Sequence, residues 1–221
     1  MDTKLSDFWD NKHPKQDIIY SGRSLPTSCP TCHQRTMSQN IPLDVRKLVN
    51  SDDAVLKKII KENNLIGSSD DQTILLVQQW VVKNLRYVGD DKNEGVMEFW
   101  QFPFETVASK IGDCEDGAIL IASLVLNAGV PSHKIRITAG MVQPAPTAPT
   151  GGHGYVTFLR EADENWIVID WCFYEDSKIE VKDKKIFKEN TLYKEIWFSF
   201  NDKYSWAHKE YEVSGRLKAR Q

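Results

Sequence analysis

Between Cys114 and Gly129 the chain carries a stretch that is apolar on almost every side, Ala118-Ile119-Leu120-Ile121-Ala122 and on to Leu126. Gly129, with Pro131 beyond it, supplies a stop signal, so the pattern predicts one helix starting around Cys114. A helix with a single apolar stripe can lie on a surface, whereas one that is apolar all round has to be enclosed. The remaining segments must therefore wrap it.

Downstream residues offer a sheet to do so. Lys134 to Val142 alternates Ile135, Ile137 and Ala139 against polar partners. Gly154 to Leu159 and Trp166 to Cys172 flank an acidic turn at Glu161 to Asn165, which predicts an antiparallel hairpin. Glu195 to Phe200 adds a further strand. Upstream, Ser51-Asp52-Asp53 caps a helix bearing Val55, Ile59 and Ile60. Ser68-Ser69-Asp70-Asp71 opens another with Ile74, Val77, Val81 and Leu85 along one face. A short helix from Glu105 to Lys110 ends near Gly112. Helices first and strands after predict an α+β fold, with the buried helix packed on an antiparallel sheet. Residues 1–45, rich in Asp, Ser, Pro and Lys, are expected to form an irregular N-terminal arm, and residues 46–221 the folded domain.

At 221 residues the chain can bury a core without covalent staples. A net charge of −3 provides no basic field, which argues against general binding of nucleic acid or an anionic membrane. No apolar run reaches the roughly 18 residues a membrane helix needs. The residues after Met1 lack a basic and then apolar leader, so a cytoplasmic setting is expected. Cys29, Cys32, Cys114 and Cys172 do not form a disulfide framework, and a reducing compartment would keep a thiol free.

Cys114 follows Gly112-Asp113 at the mouth of the apolar helix, where unpaired backbone N–H groups favour a thiolate. His153 lies in Gly151-Gly152-His153-Gly154, read as a glycine turn, and Asp170 closes Trp166-Ile167-Val168-Ile169. Antiparallel pairing would bring His153, at the start of one strand, to Asp170, at the end of the next. Asp170 would then fix the imidazole that activates the sulfur. Taken singly, such a Cys is usually core filler, such a His a solvated loop residue and such an Asp a turn former. In this order they are the parts of a thiol nucleophile. Cys172, inside a strand-like run, is assigned to the core. Asp113, Glu115 and Asp116 crowd the helix mouth with negative charge, which something positive must offset. Besides the Cys114 backbone N–H, Gln101 and Trp100 are candidates for an oxyanion hole, although Trp100 and its aromatic neighbours equally suit core packing.

These residues resemble the transglutaminase-like superfamily, with its papain-like fold. The resemblance runs from about Trp80 to Cys172 through Trp100, Pro103 and Glu105, then Gly112-Asp113-Cys114-Glu115-Asp116, Gly129-Val130-Pro131, His153 and Asp170. It is most similar to the bacterial transglutaminase-like cysteine peptidases. The resemblance implies a Cys114–His153–Asp170 triad acting through a thioester, with calcium held by the carboxylates that flank the nucleophile, Asp113 and Glu115. It implies a protein or peptide substrate and no obligatory cofactor. Phe8-Trp9-Asp10-Asn11-Lys12 also resembles short transglutaminase-like proteins of tailed phages, which adds virion association as an expectation.

Two further readings follow from the residues. Cys29-Pro30-Thr31-Cys32 has the spacing of half a zinc site, which His33, His13 or a partner chain would have to complete. A reduced, unliganded turn is the plainer alternative. The function expected is cysteine-dependent acyl transfer, either hydrolysis of a peptide or glutamine-type amide or transamidation. The alternative is a non-catalytic structural or binding protein that keeps the fold and docks into an assembly, such as a virion, through its aromatic terminal segments.

Overall fold

The computed structural model describes residues 14–28, 36–95, 98–207 and 217–220. In chain order the elements are β1 (Asp17–Ser28), β2 (Thr36–Asp44), α1 (Ala54–Glu62), α2 (Asp70–Asn84), β3 (Arg86–Tyr87), α3 (Asp90–Asn93), α4 (Pro103–Ser109), β4 (Ile111–Gly112) and α5 (Cys114–Asn127). Then come β5 (Ile135–Val142), β6 (Gly151–Leu159), β7 (Trp166–Ile169), β8 (Tyr193–Phe200), β9 (Ser205–Ala207) and β10 (Leu217–Arg220).

The apolar helix is α5, and every residue from Glu115 to Leu126 is buried. One side packs on β5 and β6, while α1, α2 and α4 cover the others. The sheet beneath it runs β7-β6-β5-β8-β9, antiparallel throughout. The fold is therefore α+β with a buried central helix on an antiparallel sheet. The caps are those expected: Asp53 accepts from the N–H groups of Val55 and Leu56, and Ser69 from that of Gln72.

Two glycines set how closely α5 meets its neighbours. A Cβ on Gly117 would lie 2.1 Å from Trp171 Nε1, and one on Gly154 would lie 3.0 Å from Glu115 Cα. Glycine at both positions lets the start of α5 sit directly against β6 and the segment after β7.

Three segments differ from the sequence-based expectation. The arm expected to be irregular contains β1 and β2, joined with β10 in a sheet of order β10-β1-β2. Ile18 and Tyr20 alternate inward and are fully buried, and the Tyr20 ring stacks on Trp100 at 5.0 Å. Arg23 fastens the same strand to α4 through a two-pronged contact with Glu105, at 2.6 and 2.8 Å. His153 lies within β6, paired opposite Gly140, rather than in a glycine turn. The strand expected to reach Cys172 stops at Ile169, because Asp170 turns its carboxylate back onto the N–H groups of Cys172 and Phe173. No helix among the described residues is long and apolar enough to cross a membrane.

Candidate active site

Cys114 is the first residue of α5, and its side chain is half-buried. The Gly154 N–H donates to its sulfur at 3.4 Å, and the thiol donates to Glu115 Oε2 at 3.1 Å. Its carbonyl accepts from the Trp171 indole at 3.1 Å, which ties the start of α5 to the residue after Asp170. Burial, then the neighbouring Asp113 charge, pushes the thiol up to about 12, with the Gly154 and Glu115 bonds acting the other way.

His153 and Asp170 meet as the hairpin geometry demands. Val156 pairs with Ile169, so the start of β6 and the chain beyond β7 project past the same end of the sheet. His153 Nε2 lies 2.7 Å from Asp170 Oδ2, and both side chains are buried. With Nε2 turned to the carboxylate, Nδ1 is left for a reacting group. Asp170 is held on every side. Its Oδ2 also accepts from the Tyr193 hydroxyl at 2.7 Å, Oδ1 accepts from the N–H groups of Cys172 and Phe173, and its carbonyl accepts from Gln78 Nε2 at 2.6 Å. Burial would raise this carboxyl, but the bonds from His153 and Tyr193 hold it below its ordinary value.

A second cluster surrounds the sulfur. One oxygen each from Asp90, Asp113 and Asp116 lie within 4.8 Å of one another, and Asp113, Cys114 and Glu115 form an overlapping group of the same size. Burial, then the charge of Asp113, pushes Asp90 up to about 7 and Asp116 up to about 8. Glu115 is pushed well above the usual carboxylate range by burial and then by the Cys114 and Asp113 charges. Asp90 Oδ1, Asp113 Oδ1 and Glu115 Oε1 are buried with no hydrogen-bond partner. Buried carboxylate oxygens left in this condition are costly, and oxygen clusters of this type suit a hard divalent cation.

The structure thus gathers Cys114, His153, Asp170, Asp113 and Glu115 into one region. The two side chains suggested for the oxyanion hole have other partners. Gln101 Nε2 donates to Asp116 Oδ2 at 2.7 Å and to the Ile111 carbonyl at 3.2 Å. Trp100 is buried in an aromatic stack with Tyr20, Phe198 and Phe200, its indole N–H turned to Glu98. Both are spent on structure, which leaves the Cys114 backbone N–H as the surviving suggestion. Cys172 packs against the core as expected, and its sulfur also lies within 4.8 Å of ligand atoms of His153 and Asp170, beside a cleft that the residue helps to line. Cys29, Cys32, His33 and His13 lie outside the described residues. Sequence reasoning missed Asp90, Tyr193 and Gln78. None has a local signal, since each acquires its role from a partner far away in the chain.

Residues 54–196 match the family described as transglutaminase-like domain, a span that contains every residue of this site. The chain belongs to the transglutaminase-like family. Solved structures of Legionella pneumophila LapG share its architecture. The EGTA-treated form is 21% identical over 78% of this chain and 88% of that one, with a TM-score of 0.52. A second LapG structure gives 21% over 74% and 85%, also at 0.52. The calcium-bound form gives 18% over 76% and 94%, at 0.48. At these identities the likeness concerns the fold of this transglutaminase-like protein. No curated protein matches the chain.

Proposed function

We propose that this transglutaminase-like protein is a cysteine-dependent acyl-transfer enzyme that hydrolyses peptide or glutamine-type amides. The observation that carries this reading is the pairing of His153 Nε2 with buried Asp170 at the sheet end where Gly154 N–H meets the Cys114 sulfur. In the proposed reaction Cys114 gives up its proton to His153 and its sulfur attacks the amide carbon. The carbonyl electrons move onto oxygen, beside the Cys114 backbone N–H. When they return, the C–N bond breaks, His153 protonates the departing amine and a thioester remains. Water, losing its proton to His153, then displaces the sulfur and releases the acid. An amine in place of water would give transamidation. Asp170 keeps the imidazole in the required tautomer and orientation.

The raised thiol is the obstacle to this chemistry, and the unpartnered oxygens suggest its remedy. Asp113, either with Glu115 beside the sulfur or with Asp90 and Asp116, would hold a calcium ion, whose charge would offset theirs near the sulfur. LapG, whose structures include EGTA-treated and calcium-bound forms, supplies a parallel in a protein of the same fold. The same raised thiol is what favours the alternative, a non-catalytic binding protein.

Treatment with iodoacetamide at neutral pH in calcium, followed by peptide mapping, separates the two. The enzyme reading expects Cys114 to be alkylated ahead of Cys172, and Cys114→Ala to abolish turnover of any peptide the protein cuts. A Cys114 that stays unmodified, or an active Cys114→Ala variant, would overturn it.

A further inference from the structure

Beside His153 opens a cleft of about 780 Å³. Val82 and Leu85 at the end of α2, Tyr87 of β3, Pro149 in the β5–β6 loop, and Trp171 and Phe173 beyond β7 form its walls, with His153 and Cys172 facing into it. Apart from His153, no residue that lines it carries an ionisable acid or base of the Asp, Glu, Lys or Arg type. Its size suits a bulky side chain together with the backbone that carries it.

Three observations make this a substrate subsite rather than a packing defect. The Tyr87 ring is 54% exposed at the rim, its face tilted toward Trp171 at 5.9 Å, so an apolar guest would cover a large aromatic surface now in water. Trp171 is fixed from behind, with its indole N–H on the Cys114 carbonyl and its ring against Gly117, so this wall is rigid and registered to the nucleophile. Finally, β7 pairs with β6 only from Val156 onward, so the outer edge of β6 at Gly151 and Gly152 has no strand beside it among the described residues. An extended peptide laid along that edge would alternate its side chains, sending every second one to the same face.

We infer that this cleft selects a bulky apolar side chain, such as Leu, Met or Phe, at one position close to the scissile amide of a peptide substrate. The inference rests on the cysteine-hydrolase reading and specifies its substrate class. Charged side chains are excluded because the walls would strip their water and offer no countercharge. Small side chains gain less, since they leave Tyr87 wet.

The test is cleavage-site profiling. The full chain, with calcium present, is incubated with a mixed peptide library and the cuts are located by mass spectrometry. The expected result is one position near the cut where Leu, Met and Phe outnumber Asp, Glu and Lys at least about tenfold. Thr150→Lys, which adds a cation at the exposed rim, should admit Asp and Glu at that same position. Leu85→Ala, which enlarges the wall it forms, should shift the preference toward Phe and Trp, and a single cooperative melting transition checks that each variant folds. Cuts without side-chain preference, a preference that neither variant moves, or an alkylatable Cys114 with no peptide cut would each overturn the subsite. Equal cutting by Cys114→Ala would instead overturn the nucleophile assignment, so the two failures are distinguishable.

Discussion

Asp170 shows how a single carboxylate can be legible in sequence while its setting is not. Its position after Ile167-Val168-Ile169 marks the end of a buried strand, and the hairpin rule then carries it to His153. Nothing local announces Tyr193 or Gln78, which reach it from 23 and 92 residues away. Because its bonds hold Asp170 below its ordinary value against burial, the ionised form is favoured in the folded state. The sign follows: this contribution is complete above the unfolded value, about 3.9, and is lost as pH falls through the lower folded value. Asp170→Asn should therefore cost about 1.5–3 kcal/mol at neutral pH, with the gap from the parent closing below about pH 4 in denaturant titrations. Turnover of a cleavable peptide should fall on the order of a thousandfold or more. Tyr193→Phe removes one of four donors to the same carboxylate. It should lower turnover by about tenfold and stability by about 1–2 kcal/mol, as measured by kcat and by melting.

At the scale of elements, the parts that were legible are those with punctuation. Asp53 and Ser69 cap α1 and α2 where the sequence places them, and the all-apolar run of α5 left burial as its only option. The β1–β2 hairpin escaped notice because its alternation is short and is interrupted by a register shift between Tyr20 and Arg23. What holds β1 is long-range: the Tyr20 ring on Trp100, and the Arg23 guanidinium on Glu105 and on the Trp100 carbonyl. Arg23→Ala should cost about 1–3 kcal/mol, less the screening expected for groups still partly open to water. The loss should appear as a lowered melting temperature and faster hydrogen exchange in β1, with the sheet under α5 unaffected. A more severe result is expected from Gly117→Ala. Its new methyl would meet the Trp171 indole, so it should destabilise by about 1–3 kcal/mol and depress activity as well, because Trp171 also anchors the start of α5.

For the whole molecule, the carboxylates around Cys114 link parts of the chain that share no secondary structure. Asp90 lies in α3 and Asp113 at the mouth of α5, brought together as β4 runs parallel to β3. That convergence buries several carboxyl groups close together, with some of their oxygens lacking donors, so that each ionisation there is opposed by burial and by its neighbours. Removing one charge should then have opposite effects in two conditions. In chelator, Asp90→Asn should raise the melting temperature, since it relieves repulsion within the cluster. In calcium the order should reverse, because a ligand that binds only the folded state adds about 2.7 kcal/mol at a concentration of about 100 Kd, and the variant would bind it less tightly. Melting curves of the parent and the variant, each in EGTA and in millimolar calcium, give the four values needed. Parent curves that coincide in the two conditions would remove calcium from the site and leave the raised thiol without its counterion. A crossing of the two proteins would place the ion between α3 and α5, where its binding stabilises the scaffold and prepares the sulfur together.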